Sequence, residues 1–414
     1  MFFYTFRSEL IFINSLKSAN NGVNKLVNRK LTKISLLLDN SSRDYQLVFG
    51  LRILGTLKNN NFMKHTVLIL SIFTMLFTAC NDDAGKTEND AKADSLKKVE
   101  TALLEQAQKV FKVLPKLAEN PDNAITDAKV KLGKILYFDT RLSKEGNQSC
   151  NTCHNLATYG VDNLPTSPGD NGGLGTRNSP TVFNAALHRT QFWDGRAKDV
   201  EEQAGMPVTN PVEMAMPDET SVIKRLSKIE AYNKMFAQAF PSAKNPMTYN
   251  NLKKAIGAFE RTLITTDKFD KYLAGDASAL NEQEKKGLNT FMSKGCTTCH
   301  SGAAMGGDLL MKFGIHKNYT ELMDSVVVDD GLFAETKLEK DKFVFKAQSL
   351  RNVEKTWPYF HDGSVKDLND AVQIMAKTEL GQEFSEEEIN DVVAFLKTLT
   401  ANISEDVKTA PELP

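Results

Sequence analysis

Residues 150–154 are Cys-Asn-Thr-Cys-His, and residues 296–300 repeat the pattern as Cys-Thr-Thr-Cys-His. The spacing C-x-x-C-H is typical of covalent c-type haem attachment, in which both thiols form thioethers with the porphyrin. The adjacent histidine then ligates the iron and leaves the opposite face for a second ligand or for chemistry. The sequence therefore predicts two haem c groups, one bound through Cys150, Cys153 and His154, the other through Cys296, Cys299 and His300.

The same cysteine pairs could instead hold zinc or form a redox dithiol, because C-x-x-C occurs in both. The chain has 5 cysteines, and the two motifs use four of them. The sequence contains no further cysteine pair and no H-x3-5-H pattern to complete a zinc site, and each pair has its own trailing histidine. Haem attachment is therefore the preferred interpretation.

The fifth cysteine, Cys80, ends an apolar run that follows Met63. An apolar run behind a basic start and before small residues is typical of a secretory signal, and this one is short for a membrane span. Leu76-Phe77-Thr78-Ala79-Cys80 resembles a bacterial lipobox, although Phe77 replaces the usual Leu. We expect a signal peptide at 63–80, lipid attachment at Cys80 and a location on the periplasmic side; a plain cleaved signal is the alternative.

The segments around this signal differ from the rest of the chain. Residues 1–62 are basic and lack clear periodicity, so we expect a mis-assigned upstream start, with a genuine extra segment as the alternative. Residues 81–94 are polar and predict a flexible tether. The remainder is long enough for two domains. The chain's net charge of −1 gives no indication of nucleic-acid binding.

A glycine one helical turn before an aromatic residue precedes each haem motif, as Gly133 and Tyr137 and as Gly287 and Phe291. Glycine permits close backbone approach, so each of these predicted helices needs a later helix to pack against. Two later segments have apolar residues at helical spacing, over 252–263 and over 389–399, the second behind a Ser385-x-x-Glu388 capping box.

This duplication predicts a mainly α fold of two class I cytochrome c-like domains, each with one covalent haem c. We expect an N-terminal domain at 95–268, a C-terminal domain at 269–402 and a tail at 403–414, because the polar segment 267–276 favours a boundary. A long loop insertion in the N-terminal domain, residues 155–240, holds the densest motifs. A simple electron carrier needs no such insertion.

Five motifs resemble the bacterial di-haem cytochrome c peroxidase family, which includes the di-haem enzymes that mature a tryptophan-derived quinone. They are Arg177-Asn-Ser-Pro-Thr181, Phe192-Trp-Asp-Gly-Arg-Ala197, Asn210-Pro-Val-Glu-Met214, Phe345-Lys-Ala-Gln-Ser-Leu-Arg-Asn352 and Pro358-Tyr-Phe-His-Asp-Gly363. The resemblance implies reduction of hydrogen peroxide to water with electrons from a small donor, a cytochrome c or a copper protein. It also allows a homodimer.

The resemblance makes the N-terminal haem the peroxidatic one. Glu213 is then the distal acid-base residue, since peroxide cleavage needs a group that moves a proton between the two oxygens. Burial can raise the pKa of such a carboxyl group into a useful range; a solvated loop carboxylate is the alternative. Trp193 matches an aromatic residue that carries electrons between the haems, and a domain-interface anchor is its alternative.

The resemblance makes the C-terminal haem an electron relay with His300 and Met375 as axial ligands. A His and Met pair raises the reduction potential, which suits a haem that accepts electrons from a donor. Met305 and Met311 are rival ligands, and a core methionine is the alternative for Met375.

The family also has a calcium ion between its domains. The matching ligands are the Asn178 side chain and the backbone carbonyls of Thr356 and Pro358, and such oxygen ligands suit Ca²⁺. His188 and His361 are expected to be structural.

Many family members carry a histidine sixteen residues after the haem-binding histidine, where it caps the peroxidatic iron until the other haem is reduced. Here that position is Asp170, in a glycine-rich loop that we expect to be mobile. A carboxylate is an uncommon haem ligand, so we expect an open or water-filled iron position and no reductive activation. His188 as the cap is the alternative.

Two other functions stay open. A protein-oxidising relative of the quinone-maturation type has a tyrosine where Met375 stands. A non-enzymatic di-haem electron carrier would have two six-coordinate haems. Met375 favours the peroxidase over the first alternative, and the insertion at 155–240 favours it over the second.

Overall fold

The structure of the protein is a computed structural model that describes residues 88–323 and 328–414. The expected upstream segment 1–62, the signal peptide 63–80 and the lipid-attachment residue Cys80 lie outside these residues. Within the described part of the chain, no helix is both long enough and apolar enough to cross a membrane.

The described residues are mainly helical, as the sequence predicts. The α-helices are α1 (Glu88–Val110), α2 (Asp127–Phe138), α3 (Cys150–Cys153), α4 (Val200–Thr209), α5 (Glu219–Leu226), α6 (Glu230–Ala239), α7 (Tyr249–Glu260), α8 (Lys268–Leu273), α9 (Glu282–Lys294), α10 (Phe333–Thr336), α11 (Leu368–Glu379), α12 (Glu386–Lys397) and α13 (Glu405–Lys408). Strands β1 (Leu310–Lys312) and β2 (Val344–Lys346) pair antiparallel, with Leu310 opposite Lys346.

Two helix pairs form the scaffold, and each depends on its predicted glycine. At Gly133 in α2, a Cβ atom would lie 1.9 Å from the Ala255 carbonyl oxygen of α7. At Gly287 in α9, it would lie 1.8 Å from the Asp391 carbonyl oxygen of α12. Only glycine permits these approaches, so the predicted close packing is confirmed in both pairs.

The capping box predicted for α12 is also present. The Ser385 hydroxyl accepts a hydrogen bond from the Glu388 backbone N–H at 3.2 Å, and Glu388 Oε2 accepts one from the Ser385 N–H at 2.9 Å. Each partner thus satisfies a donor at the start of the helix. A cap of this kind contributes about 1 kcal/mol.

The two helix pairs lie in separate hydrophobic clusters, and the chain ends cross between them. The cluster around α2 and α7 also contains Ala401 and Ile403. The cluster around α9 and α12 also contains Ala107 and Phe111. The end of α1 therefore packs with the C-terminal half, although the sequence assigns it to an N-terminal domain at 95–268. Residues after 400 pack with the N-terminal half.

The predicted tether at 81–94 is wrong for its last residues, because α1 begins at Glu88. The prediction used the low hydrophobicity of this segment alone. Alanine, lysine and glutamate are strong helix formers, and they continue into the amphipathic part of α1. Residues 81–87 lie outside the described part of the chain.

Candidate active site and electron-transfer elements

The first haem motif begins with a single helical turn. Ser149 starts α3 in a reciprocal capping box with Thr152. The Tyr137 hydroxyl of α2 donates a hydrogen bond to the His154 carbonyl oxygen at 2.6 Å. The His154 ring nitrogen Nδ1 lies 2.9 Å from the Pro180 carbonyl oxygen, which can only accept a hydrogen bond. The proton is therefore on Nδ1, and Nε2 keeps its lone pair for a metal.

The second haem motif begins directly after α9. Gly295 ends that helix with a φ of 105°, and the turn Cys296–Thr298 follows it. The His300 Nδ1 atom lies 3.3 Å from the Met305 carbonyl oxygen. The same argument leaves Nε2 of His300 free for the iron, so the two histidines are prepared in the same way.

The cysteine environments fit a thioether better than a zinc thiolate. All four motif cysteines are free thiols of intermediate exposure. Burial raises the pKa of both Cys153 and Cys296 to about 11, which favours an uncharged sulfur. Among the described residues, no three His, Cys, Asp or Glu side chains are grouped so that they could hold a metal ion. The uncharged state of these sulfurs therefore fits thioether attachment to a haem.

Glu213 lies in a short loop after α4 that reaches the first haem motif. Its Oε1 atom accepts a hydrogen bond from the Asn210 amide at 2.7 Å. Burial raises the pKa of Glu213, while the Arg196 cation and the Asn210 hydrogen bond oppose that shift. The Glu213 charge in turn contributes to the raised pKa of Cys153. The predicted acid-base residue is thus partly buried beside the first haem-binding motif.

The loop that carries Asp170 is anchored, in contrast to the mobility expected from its glycines. A Cβ atom at Gly169 would lie 1.7 Å from the Val212 carbonyl oxygen, so this glycine serves close packing. The Asp170 N–H donates to the Glu213 carbonyl oxygen at 2.7 Å, and its Oδ2 accepts from the Glu145 N–H at 2.8 Å. Asp170 thereby ties the Glu213 loop to the turn before the first haem motif.

His188, the alternative cap, faces the C-terminal half. Its side chain is buried, and a Cβ atom at Gly307 would lie 2.4 Å from its Cδ2. Gly307 belongs to the loop that follows the second haem motif. The contacts of His188 are therefore on the side of the second haem.

Trp193 connects segments of both halves. Its indole Nε1–H donates to the Asn178 carbonyl oxygen at 2.9 Å, and its own carbonyl oxygen accepts from the Lys346 N–H at 2.6 Å. The indole ring meets the His361 ring edge-on at a centroid distance of 6.3 Å. The His361 carbonyl oxygen accepts a hydrogen bond from the Asn178 N–H at 2.7 Å. Trp193 therefore contacts segments of both halves, and its role in electron transfer stays a prediction.

The expected calcium ligands belong to neighbouring segments. Asn178 is buried, and its amide donates to the Leu164 carbonyl oxygen at 2.9 Å. The Asn163 amide donates to the Trp357 carbonyl oxygen at 2.7 Å, in the segment that contains Thr356 and Pro358. The loop that carries Asn178 therefore contacts the segment of the two expected carbonyl ligands.

The three candidate methionines for the second haem differ in burial. Met305 is fully buried in the C-terminal hydrophobic cluster. Met375, on α11, is of intermediate exposure and is not part of that cluster. Met311 lies on β1, also at intermediate exposure. The packing of Met305 as a core residue leaves Met375 and Met311 as the better candidates.

The sequence motifs contain charged residues whose contacts the sequence did not predict. Arg177 donates to Asp194 at 2.5 Å and to Asp329 at 2.6 Å, and Arg196 donates to Asp194 at 2.8 Å. This chain of ion pairs joins the Trp193 turn to the segment after residue 328. The available signal was the Phe192-Trp-Asp-Gly-Arg-Ala197 motif, because it places Asp194 and Arg196 within three residues of Trp193.

Another unpredicted group is fully buried. The Arg351 guanidinium donates to Asp267 at 2.5 Å and to Asp270 at 3.0 Å. It also donates to the Ala303 carbonyl oxygen at 3.0 Å. A buried cation needs such pairing, so Arg351 fixes the predicted boundary region to the loop after the second haem motif.

Comparison with known proteins shows which family the chain resembles. The profile of the di-haem cytochrome c peroxidase family matches residues 127–278. The chain is 46% identical over 304 residues to cytochrome c551 peroxidase of Pseudomonas aeruginosa, which covers 72% of this chain and 86% of that protein. It is 34% identical over 304 residues to the methylamine utilization protein MauG of Methylorubrum extorquens, covering 70% and 83% of the two chains.

Solved structures show the same fold. A MauG-like protein associated with microbial copper homeostasis superposes with a TM-score of 0.64 at 27% identity, covering 72% of this chain and 97% of that one. The diheme peroxidase BthA from Burkholderia thailandensis superposes with a TM-score of 0.58 at 18% identity, covering 73% and 94%.

The chain belongs to the di-haem cytochrome c peroxidase family. The enzyme class predicted from the sequence, a cytochrome c peroxidase, is thereby confirmed. Membership of this family implies two haem c groups, in agreement with the two motifs.

Proposed function

We propose that the haem attached at Cys150 and Cys153 is the peroxidatic one and that electrons reach it from the haem attached at Cys296 and Cys299. The overall reaction combines H₂O₂, two electrons and two protons to give two water molecules. The observation that carries this assignment is the partly buried Glu213 carboxyl group, which lies beside the first motif and is held by Asn210.

The chain's own residues supply proton transfer and orientation. His154 would hold the haem iron, and the bound haem would supply the redox chemistry of peroxide reduction. Glu213, as the carboxylate, would accept a proton from one peroxide oxygen and return it to the other, which then leaves as water. The Asn210 amide fixes the direction of the carboxyl group.

The second half relays electrons from a small external donor, a cytochrome c or a copper protein. His300 and Met375 would hold the iron of the second haem, and Trp193 would carry electrons between the halves. The hydrogen bonds of Trp193 to Asn178 and from Lys346 support that route, since they link it to both halves. Met375 in place of tyrosine favours peroxide reduction over the oxidation of a protein substrate.

The N-terminal iron is proposed to be open in the oxidised enzyme. Two contacts support this proposal: Asp170 Oδ2 accepts a hydrogen bond from the Glu145 N–H, and the His188 side chain lies against Gly307 in the C-terminal half. Peroxide would then react with the oxidised enzyme without a prior reduction step.

The finer organisation is part of the same proposal. Each half, meeting near residue 268, binds one haem, with the 155–240 insertion serving the first. A calcium ion between the halves is bound by Asn178, Thr356 and Pro358. A signal peptide at 63–80 directs the chain to the periplasmic side, where lipid at Cys80 anchors it to a bacterial membrane, with a homodimer as the assembly.

An optical and kinetic experiment on the purified di-haem protein tests the assignment. When peroxide is added to the wild-type enzyme with reduced donor, the donor should lose two electrons per peroxide molecule. Glu213→Gln should abolish most of this turnover while both haem spectra persist. Full turnover in Glu213→Gln would refute the role of Glu213. Calcium analysis of the same preparation and mass determination of the mature N-terminus test the ion and the lipid.

A further inference from the structure

Lys346 is a buried lysine whose side chain has no role in the function proposed above. It lies on β2 within the Phe345–Asn352 motif, and only 3% of its surface is exposed. An ammonium group is rarely buried to this degree, because desolvation of its charge is costly unless partners compensate. Its contacts therefore indicate what the residue does.

Lys346 holds the turn that carries Trp193 at two points. Its backbone N–H donates to the Trp193 carbonyl oxygen at 2.6 Å. Its Nζ atom donates to the Thr190 carbonyl oxygen at 2.8 Å. Because β2 pairs with β1, which follows the second haem motif, one residue of the C-terminal half fixes both ends of the Thr190–Trp193 turn.

The third contact of the amine is a buried histidine. Nζ of Lys346 lies 3.4 Å from Nδ1 of His188, and Nε2 of His188 has no hydrogen-bond partner among the described residues. Burial lowers the pKa of His188 well below its ordinary value, with the Lys346 charge adding to the effect. His188 is therefore neutral and does not compensate the ammonium charge.

Around neutral pH the charge of Lys346 itself changes. Burial lowers the pKa of Lys346 to about 7, and the Asp194 carboxylate opposes this shift. Asp194 is already paired with Arg177 and Arg196, so it stabilises the ammonium only weakly. The facing residue on β1 is the uncharged Leu310. Lys346 undergoes no covalent change other than the gain or loss of the proton on its amine.

We propose that Lys346 is a positioning residue for the electron step between the two haems: it clamps the Thr190–Trp193 turn, and the charge of its amine sets how readily Trp193 gives up an electron. Trp193 loses one electron to the N-terminal side and regains one from the C-terminal side, so it ends unchanged. A neighbouring positive charge opposes the loss of an electron in a low-dielectric interior. The step is therefore faster when the amine is neutral. This inference rests on the proposed path through Trp193.

The test is rapid mixing of the fully reduced di-haem enzyme with peroxide over a range of pH, following oxidation of the C-terminal haem. In the wild type the rate should rise about tenfold as pH increases through the Lys346 titration, since one pKa unit of interaction corresponds to a factor of ten. Lys346→Met, permanently neutral, should lose this rise, and Lys346→Arg, permanently charged, should stay at the slow limit. Glu213 is intact in all variants, so differences between their profiles belong to Lys346.

A matched control and a second variant separate the possible failures. Lys312→Met removes an exposed lysine from the same two-stranded sheet and should keep the wild-type profile. If Trp193→Phe leaves the rate unchanged, the proposed path fails, and the inference with it. If Trp193→Phe slows the step but Lys346→Met or Lys346→Arg keeps the wild-type pH profile, the inference alone is overturned. If the wild-type rate does not rise with pH, the inference about Lys346 is overturned. This holds even if Lys346→Met and Lys346→Arg both fail to retain their haems.

Discussion

The two haem-binding halves share a scaffold and differ in what surrounds the ligating histidine. Tyr137 and Phe259 in the first half have ring centroids 5.4 Å apart, and so do Phe291 and Phe395 in the second. Among the described residues, a side-chain hydroxyl group binds the backbone of the motif histidine only in the first half, where Tyr137 donates to the His154 carbonyl oxygen. Only the first half has the 155–240 insertion, which brings Glu213 to the motif. The two halves thus share a helix pair, and Glu213 comes from a loop between helices of the insertion, where catalytic groups are commonly found.

Glu213→Gln tests the largest difference between the halves. It should lower peroxidase kcat by about 10²–10⁴-fold, the usual contribution of a positioned proton-transfer group. In the wild type, activity should fall as pH decreases through the raised pKa of Glu213, because the carboxylate form is the base. Steady-state kinetics across pH measures both effects.

Glu145→Gln is the matched control for that variant, because Glu145 is exposed in the same region of the N-terminal half. It should retain wild-type kcat. An equal loss in both variants would show that Glu213 has no special role.

Met375→His would replace the proposed thioether ligand of the second haem with an imidazole, which favours a lower reduction potential. The midpoint potential of the C-terminal haem should fall by about 0.1–0.3 V, within the range of roughly 0.8 V that axial ligands span. A spectroelectrochemical titration measures it. Met311→His is the control, and a fall in that variant instead would identify Met311 as the ligand.

Gly133→Ala and Gly287→Ala test whether the two helix pairs are equivalent. Each adds a Cβ atom within 2 Å of a backbone carbonyl oxygen, and overpacking of this kind costs about 1–3 kcal/mol or more. Both should lower the thermal unfolding midpoint. Gly175→Ala meets only ordinary contacts and should leave the midpoint unchanged; a similar fall there would remove the argument from packing.

Tyr137→Phe removes the hydroxyl group that distinguishes Tyr137 from Phe291, its counterpart in the second half. Loss of the hydrogen bond to the His154 carbonyl oxygen should destabilise the fold by about 1 kcal/mol. Denaturant unfolding measures this change. Tyr159→Phe, which loses a longer bond to the Ala401 carbonyl oxygen, should have a smaller effect. The opposite order would mean that the Tyr137 hydroxyl does not anchor the motif.

The repeated features were predictable because they depend on short-range patterns. The two haem motifs, Gly133, Gly287 and the Ser385 capping box each follow from spacing and residue type, without knowledge of the fold. The crossing of the chain ends could not be predicted in this way. Phe111 packs with the second cluster and Ile403 with the first, and apolar spacing shows that a residue is buried but not against which partner.

The site was predictable in its residues but not in its connections. Asp170 was recognised because it stands where many family members have a histidine. Its loop is nevertheless anchored, because Gly169 packs against the Val212 backbone. Lys346 and Arg177 were visible only as members of motifs. Lys346 binds Thr190 and Arg177 binds Asp329, in each case more than a hundred residues away in the sequence, and such long-range pairing is set by the fold.

We propose that the two halves differ at the iron, which would be open in the N-terminal half and held by His300 and Met375 in the C-terminal half. Low-temperature electron paramagnetic resonance of the fully oxidised protein, followed by mixing with peroxide, tests it most directly. We expect one high-spin and one low-spin haem, with immediate peroxide turnover and no need for pre-reduction. Two low-spin haems, with a lag that pre-reduction abolishes, would contradict it.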